Sequence, residues 1–376
     1  MTKTNMSLEI VHLQDEEEGR KQQQQQQTQK TSNKNASSYM LLLGINYFCL
    51  FVGSFSSSML TRFYYIHKGN SRWVTTWIQC AGFPLLLFPI FLPYYLFKTT
   101  SRRPFSGFQP KIIFLSIIIG FMLGLNNLLI SWGISYLPVS TNSLLLSSQL
   151  AFILVFSIII VKQKVTFSNL NCVILLTLSS VLLALGSSHD KPDDVSRRQY
   201  FIGFFCTIGA GLLFSLYLPI VEKIYRNVTC YSMVMEMQLV MEIAATALAT
   251  IPMVAWGGGS EMKKERFHVF NLGPNAYVAT VAINVVTWQL CFMGTAGMVF
   301  LTSSLTGGIC STALLAMNVL GGVLIFKEAF VGAKIVSTLL CVWGFGSYIY
   351  GMYINNVKEN PNGNTTEMVE MASHDH

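Results

Sequence analysis

The chain has 376 residues, of which 52% are hydrophobic and only 11% are charged, and its mean hydropathy is +0.47. A soluble domain carries about 25% charged residues, so this composition argues against a soluble protein and predicts a polytopic membrane protein. Its apolar blocks are continuous, which argues against an outer-membrane barrel of short alternating strands. The net charge of +7 is spread over short loops, so we expect no nucleic-acid partner. The eight cysteines include no CxxC pair, and we expect no metal or other cofactor.

Polar tails flank the apolar part of the chain. Residues 1–38 contain an acidic run at 15–18 and a glutamine tract at 22–27, and residues 356–376 are also polar. Segments of this composition bury too little apolar area to offset the entropy lost on ordering. We therefore expect both tails to be disordered.

Ten apolar segments of about 20 to 25 residues lie between the tails, and almost no charged residue falls inside them. A helix of about 20 apolar residues spans a hydrocarbon core of about 30 Å. Charged and helix-breaking residues occupy the connections between the segments. The sequence therefore predicts ten transmembrane helices, over residues 39–61, 73–97, 111–135, 139–161, 168–187, 199–222, 231–255, 275–299, 301–326 and 331–353.

The distribution of basic residues gives the expected orientation. With a cytoplasmic N-terminus, the cytoplasmic loops and tails hold 14 of the 25 Lys and Arg residues, and the opposite loops hold 11. The positive-inside rule therefore favours two cytoplasmic tails, by a small margin. A small margin is natural for a chain built from two oppositely inserted halves.

An internal repeat relates the two halves. A shift of 165 residues places Lys162 on Lys327 and the start of the third segment, at 111, on the start of the eighth, at 276. Five segments repeated after an odd number of crossings must insert upside down, as in many transporters. The predicted fold is therefore an all-α integral membrane protein with ten transmembrane helices, arranged as two inverted five-helix repeats at 39–187 and 199–353.

Amide and indole side chains recur within several segments of both halves. A single buried amide is explained equally well by a hydrogen bond that joins two helices without contacting a ligand. As a set, amides can pair with donors and acceptors on a planar heterocycle, and indole faces stack on such rings for about 1–3 kcal/mol each. The pattern indicates a flat aromatic ligand near the middle of the membrane. The predicted contacts are Trp77, Asn127, Gln149, Trp288 and Gln289.

Lys and Arg are absent from the interiors of the ten predicted segments. A carrier of phosphate esters or nucleotide sugars needs fixed positive charge to replace the water around its anion. The expected substrate is therefore neutral or weakly basic.

A carboxyl group inside the seventh segment is the candidate proton carrier. Glu242 lies about eleven residues, or roughly 16 Å, into this helix, and Gln238 lies one turn earlier on the same face. Desolvation at that depth favours the neutral acid, which suits a group that binds a proton on one side and releases it on the other. A permanently neutral, hydrogen-bonded Glu242 is the alternative. Glu236, nearer the surface, is the second candidate, and Glu222 and Glu328 are predicted to form interfacial ion pairs.

Proline and glycine residues mark helix breaks and close helix contacts. Pro84, Pro89 and Pro219 are candidates for breaks near a cavity, with ordinary kinks as the alternative. Gly120 and Gly124 form a GxxxG pair, which predicts close packing against another helix.

Several motifs together resemble the plant purine permeases of the drug/metabolite transporter superfamily. The resemblance covers about 40–355, and its motifs are RFYY at 62–65, WVTTWIQCAGFP at 73–84, NN at 126–127, SYLPVST at 135–141, SQLAF at 148–152, TWQ at 287–289, TSSL at 302–305 and WGFGSYIY at 343–350. It implies ten helices in two inverted halves. It also implies proton-coupled import of adenine, cytokinins and related heterocycles, with the plasma membrane as the expected location.

Two other functional classes are compatible with the sequence. A nucleotide-sugar or organic-phosphate exchanger would share the fold, although the missing intramembrane cations disfavour it. A non-transporting membrane receptor would bind the ligand without accumulating it. An enzyme is least favoured, because no HExxH, paired-carboxylate or nucleophile motif is found. The oligomeric state is not determined by the sequence.

Overall fold

The computed structural model describes residues 39–69, 71–96, 102–136, 146, 149–186, 196–228, 230–255, 257–327 and 332–359. Within these ranges the regular secondary structure is helical and no strand occurs. The predicted tail 1–38 and most of the tail 356–376 lie outside the described residues. The compact unit Phe48–His376 contains all the candidate site residues.

The first half of the chain forms six helices in its described part. Most bounds lie within a few residues of the predicted segments, and helix α1 continues five residues further than predicted, into the polar connection. The fourth predicted segment is described only at residue 146 and from 149 onward, where it ends in a wide helical turn at Ser157–Val161. These helices are α1 (Tyr39–Ile66), α2 (Arg72–Cys80), α3 (Leu87–Tyr95), α4 (Pro110–Tyr136), α5 (Gln149–Phe156) and α6 (Phe167–Gly186).

The second half forms six more helices in the part of the chain that the structure describes. They are α7 (Arg197–Tyr225), α8 (Tyr231–Ala255), the short connecting helix α9 (Gly258–Lys264), α10 (Pro274–Leu301), α11 (Ser304–Phe326) and α12 (Gly332–Glu359). Among the described residues, six helical stretches are long and apolar enough to cross a membrane: α1, α2 continued through α3, α4 up to Gly133, α7, α8 and α10.

The second predicted segment is not one continuous helix, as the sequence pattern predicted, because it is interrupted between α2 and α3. The backbone turns at Ala81 and Gly82 and continues as a tight helical turn over Phe83–Leu86. Pro84 explains the interruption, since it has no N–H for the carbonyl of Cys80, four residues earlier. The Thr246 hydroxyl of α8 donates to that carbonyl instead, at 2.8 Å. Pro219, in contrast, lies inside the continuous helix α7.

The GxxxG pair brings α4 against α8, which confirms the predicted close packing. A Cβ atom on Gly120 would lie 2.7 Å from the Cβ of Ala244 and 2.9 Å from the Cα of Met241. A Cβ on Gly124 would lie 3.1 Å from the Cα of Ala245. The two backbones approach so closely only because both positions lack a side chain. This contact positions the middle of α8.

Helices α6 and α12 pack in antiparallel order. Ser179 and Ser337 each donate a hydroxyl to the other's backbone carbonyl, at 2.6 and 2.7 Å. Further along, Gly351 of α12 lies against Ser168 near the start of α6. Residue numbers therefore rise along one helix as they fall along the other.

The two lysines aligned by the sequence repeat share a backbone conformation. Lys162 ends the helical stretch that follows α5 with φ 54° and ψ 40°, and Lys327 ends α11 with φ 54° and ψ 39°. A left-handed conformation is uncommon for a residue with a side chain. Its occurrence at both aligned positions supports the alignment of these two helix ends.

Candidate functional site

A buried carboxyl group and two amides meet beside the interruption between α2 and α3. Glu242 of α8 is 0% exposed. Its Oε1 atom accepts hydrogen bonds from Gln238 Nε2 at 2.9 Å and from Gln289 Nε2 at 3.2 Å. Gln238 lies one turn earlier on α8, as predicted, whereas Gln289 belongs to α10. The structure thus joins two of the predicted site residues, Glu242 and Gln289, in one cluster.

The missing side chain of Gly82 makes room for Gln289. A Cβ atom on Gly82 would lie 2.7 Å from Gln289 Oε1 and 3.0 Å from the carbonyl oxygen of Val285. The interruption therefore lets the backbone at residue 82 approach α10 at the level of the buried amide. Any larger residue at this position would displace Gln289 or push α10 away.

Helix α4 contributes further amides next to the interruption. Asn127 Nδ2 donates to the Cys80 sulfur at 3.2 Å, and Asn126 Nδ2 lies 3.4 Å from Asn127 Oδ1. Because Cys80 also receives the Thr246 hydroxyl on its carbonyl, Asn127 is linked to α8 through the last residue of α2. The predicted residue Asn127 thus contacts the same interruption as Gln289.

Three oxygen atoms of the cluster and its neighbouring amides are left without a hydrogen-bond donor. Glu242 Oε2, Gln238 Oε1 and Asn126 Oδ1 are buried and have no hydrogen-bond partner in the part of the chain that the structure describes. A buried polar atom left unpaired costs about 1–3 kcal/mol. These oxygens can accept N–H groups of a planar heterocycle, and the free carboxyl oxygen can itself hold a proton.

The two predicted tryptophans share one apolar cluster. Trp77 of α2 and Trp288 of α10 are both half-buried and pack against the group that includes Tyr64 and Tyr277. The Trp288 ring also lies 5.7 Å from Phe292, at 30°. The indoles therefore belong to the two helices that carry the interruption and Gln289.

Gln149 differs from the other predicted contacts. It begins the described part of α5, and its backbone carbonyl accepts the Ser215 hydroxyl of α7 at 2.9 Å. Gly211, one turn earlier on α7, also faces the Cβ atom of Gln149. Its described contacts are therefore with α7 and not with the cluster around Glu242.

Glu236 lies in a different environment from Glu242, although both are 0% exposed. Arg102 donates to both of its oxygens, at 3.1 and 3.0 Å, and the backbone N–H of Phe105 donates at 3.0 Å. Such a two-point guanidinium contact is a strong, charge-assisted hydrogen-bond pair. The arrangement anchors the turn before α4 to the start of α8.

Glu222 forms the ion pair that the sequence predicted, but with Arg226 rather than with the neighbouring lysine. The Arg226 guanidinium donates at 2.9 Å, because i and i+4 side chains meet on a helix. The other oxygen of Glu222 accepts the backbone N–H and the hydroxyl of Ser304, at 2.7 and 2.6 Å. Glu222 therefore ties the end of α7 to the start of α11. Glu328 lies outside the described residues.

Glu265 lies at the other end of the helices, near the end of α8, and was not predicted from the sequence to be a site residue. It follows α9, accepts the Ser71 backbone N–H at 2.7 Å, and accepts the hydroxyls of Tyr64 and Tyr277 at 2.6 and 3.1 Å. The sequence contained no signal for these partners, since Tyr64 and Tyr277 lie in separate helices. Gln238, Thr246 and Gly82 were also not predicted as site residues. The four-residue spacing of positions 238, 242 and 246 could have indicated that Gln238 and Thr246 lie on the same face of α8 as Glu242. No such pattern points to Gly82.

Apolar helices long enough to cross a membrane, together with a buried polar cluster at an interrupted helix, define the class of polytopic membrane transport proteins. Comparison with known proteins agrees. The family described as "Purine nucleobase transmembrane transport" matches residues 41–358. "Probable purine permease 4" of Arabidopsis thaliana is 63% identical over 296 residues, which cover 78% of each chain. "Purine permease 3" of the same plant is 33% identical, over 82% of this chain and 90% of the relative.

The chain therefore belongs to the purine permease family, which confirms the resemblance found in the sequence. It is a multi-pass membrane transporter and not an enzyme. A solved crystal structure superposes with a TM-score of 0.60 over 82% of this chain and 98% of the other, at 15% identity. At that identity the likeness concerns the fold alone.

Proposed function

We propose that this transporter imports purine nucleobases, cytokinins or related neutral nitrogen heterocycles across the plasma membrane, by alternating access coupled to protons. The observation that carries the proposal is the environment of Glu242. One of its oxygens is held by two amides, and the other is buried without a described partner. The family and the relatives' names support the purine-like substrate.

Glu242 is the proposed proton carrier. Its described side-chain contacts are with neutral groups, so the protonated acid is not opposed by a fixed countercharge in the described part of the chain. Glu236, with its guanidinium partner, lacks this freedom. A proton on Glu242 removes a buried charge. This lowers the free-energy cost of the conformational change in the substrate-bound transporter.

The proposed ligand lies against the interruption between α2 and α3. Gln289 and Asn127 present amides to its edge, and Trp77 and Trp288 supply indole faces for stacking. Gln149 was predicted to join them, and its place at the start of α5 makes it the weakest member of this set. The ligand's N–H groups would satisfy the acceptors that the protein leaves unpaired.

Alternating access requires that the two ends of the bundle open in turn. At the end where α8 finishes, Glu265 joins Ser71, Tyr64 and Tyr277, and a Cβ atom on Gly258 would touch both Met253 and Trp73. At the end where α8 begins, Glu222 joins α7 to α11, near the Tyr231–Phe300 ring contact. The antiparallel α6–α12 pair and the matched Lys162 and Lys327 conformations support the inverted repeat that such a mechanism uses.

Uptake of labelled adenine in yeast lacking its own carrier tests the proposal. We expect accumulation that a protonophore abolishes. Glu242→Gln should abolish this accumulation while it preserves exchange of internal for external label, because the glutamine resembles the neutral acid. Glu236→Gln is the matched control, the same substitution on the same helix, and should still accumulate label when its surface expression is equal. Full accumulation by Glu242→Gln would remove Glu242 from the mechanism, and binding without accumulation by the unmodified protein would indicate a receptor.

A further inference from the structure

A cavity of about 470 Å³ lies at the start of α2, apart from the cluster around Glu242. It is bounded by α2, the end of α4 and the connection that contains α9. Binding pockets for small molecules occupy about 300–1,000 Å³, so this cavity is large enough for a heterocycle of two fused rings. Its lining includes Arg72, Trp73, Trp132, Glu261, Lys264 and Glu265.

Two indole rings form the aromatic walls of the cavity. The ring centroids of Trp73 and Trp132 lie 6.4 Å apart, and their planes meet at 75°. Two nearly perpendicular rings offer a flat ligand one face to stack on and one edge to abut. Arg72 extends this wall, because its guanidinium lies 5.8 Å from the Trp132 ring and 4.6 Å from the Tyr136 ring.

The charged groups of the cavity balance one another. Arg72 and Lys264 oppose Glu261 and Glu265, so the lining has no excess of either charge. Glu265 is buried and already accepts hydrogen bonds from Ser71 and two tyrosines. The exposed carboxylate of Glu261 and the exposed ammonium of Lys264 remain at the rim, as one acceptor and one donor group. This combination suits a neutral ring system with both N–H groups and ring nitrogens.

The floor of the cavity is rigidly built. Ser71 caps α2, its backbone N–H donates to Glu265 at 2.7 Å, and its hydroxyl donates to Glu261 at 2.7 Å. Arg72 donates to the Tyr136 hydroxyl at 2.8 Å, which fixes α2 to the end of α4. The aromatic walls are therefore held in place without a ligand, so binding costs little ordering.

The cavity lies on the helices that lead to the interruption. Trp73 precedes Cys80 by seven residues of α2, or about 10 Å along the helix axis. Trp132 follows Asn127 by five residues of α4, or about 7.5 Å. The cavity therefore lies between one and two helical turns from the residues beside the interruption, and Gln289 is not part of its lining.

We infer that this cavity is a second binding site, where a neutral planar nitrogen heterocycle binds at the mouth of the transporter before it reaches the interruption. The inference rests on the proposed function for the class of ligand. The cavity would raise the local concentration of substrate and would lower the concentration needed for half-maximal uptake. It would leave the maximal rate of accumulation unchanged.

Equilibrium dialysis of the purified full-length protein with labelled adenine tests this inference. We expect two equivalents bound per chain in the unmodified protein. Trp73→Ala should lose one equivalent, and Gln289→Ala should lose the other. In the yeast uptake assay, Trp73→Ala should raise the half-saturating adenine concentration about 10-fold, in keeping with the loss of one stacking ring, and should preserve the maximal rate.

The outcomes separate this inference from the proposed function. One equivalent that is lost in Gln289→Ala and unaffected by Trp73→Ala would overturn the second site and leave the proposed function intact. One equivalent lost only in Trp73→Ala would support the cavity and remove the site at the interruption. Glu261 is exposed at the rim and accepts the Ser71 hydroxyl, and glutamine keeps an acceptor oxygen for that bond. The milder variant Glu261→Gln therefore replaces Trp73→Ala if the latter protein fails to bind at both sites. Glu261→Gln should weaken one equivalent, and unchanged binding at both sites would contradict the inference.

Discussion

Glu236 and Glu242 lie six positions apart on α8 and differ in their electrostatic surroundings. Glu236 faces a guanidinium group, whereas Glu242 faces two amides. Both side chains are buried, so burial alone does not distinguish a fixed charge from a group that can change its protonation. The proposed roles of the two residues rest instead on their partners, which are a guanidinium for Glu236 and neutral amides for Glu242.

Gly82→Ala is expected to reduce uptake at least 10-fold without loss of the folded protein. The added methyl group would lie 2.7 Å from Gln289 Oε1, so the amide would have to leave its position beside Glu242. Overpacking of this kind costs about 1–3 kcal/mol. Labelled-adenine uptake at matched surface expression measures the effect.

Gly346→Ala is the control for this substitution. Gly346 lies within α12, and nothing lies within 4 Å of the position that its Cβ would take. The control should transport as the unmodified protein does. Normal uptake by Gly82→Ala would show that Gln289 does not need its present position.

At the scale of the element, the interrupted second segment depends on a hydroxyl from another helix. The Cys80 carbonyl receives its hydrogen bond from Thr246, whose single hydroxyl proton is shared with the Glu242 carbonyl on its own helix, at 2.8 and 2.7 Å. Thr246→Val keeps the shape of the side chain but removes this donor. We expect a loss of about 1–3 kcal/mol of stability, the cost of an unpaired buried carbonyl, together with reduced uptake.

Thr250→Val is the matched control, one turn further along α8. The Thr250 hydroxyl donates to the Thr246 carbonyl at 2.7 Å, a bond within the same helix. Because that carbonyl already has the helical N–H as a donor, Thr250→Val should change thermal stability in detergent only slightly. Equal losses in both variants would show that the bond across to Cys80 contributes nothing specific.

The sequence could predict contacts within one helix and not the partners across helices. Gln238 meets Glu242 because helical periodicity alone brings i and i+4 together. Gln289 meets the same carboxyl from another helix, 47 positions away. Arg102 reaches Glu236 across 134 positions. These pairs depend on how the helices pack, and the apolar pattern of a membrane helix carries little information on that.

The sequence could predict that a proline would interrupt a helix, but not which proline would do so. Three prolines were candidates, and the structure interrupts the chain only beside Pro84 among them. Pro219 lies in a helix that continues past it. The difference lies in the surroundings, because Gly82 leaves room for Gln289 of α10 and Thr246 supplies the missing donor. Neither condition can be read from the proline itself.

At the scale of the whole molecule, buried carboxylates join helices at both ends of the helix bundle. Glu265 joins α1, α2 and α10 at one end. Glu222 joins α7 and α11 at the other. Each accepts several short hydrogen bonds, and bonds to charged groups are worth about 1.5–3 kcal/mol each. Under the proposed alternating access, we expect the relative strength of these two sets of hydrogen bonds to decide which side of the transporter opens.

Glu265→Gln is expected to open the end that this residue holds. Cys80 is buried beside the interruption, so its rate of reaction with a membrane-impermeant maleimide reports access to the centre. In a variant whose other seven cysteines are replaced by alanine, Glu265→Gln should raise this rate about 10-fold from the side of α9, in keeping with the loss of one charged hydrogen bond.

Glu222→Gln provides the comparison for that experiment. It should raise the reaction rate of Cys80 from the opposite side of the membrane and leave the α9 side unchanged. Rates that rise equally from both sides in either variant would mean that the carboxylates stabilise the fold and do not control access.

The bond between Thr246 and Cys80 also links two positions in evolution. Pro84 creates the need for an outside donor, and the Thr246 hydroxyl meets it. A relative with any other residue at position 84 has its own backbone N–H available for this carbonyl. Such a relative is free to replace the hydroxyl at position 246. The two positions, 162 residues apart in the sequence, are thus expected to change together across the family.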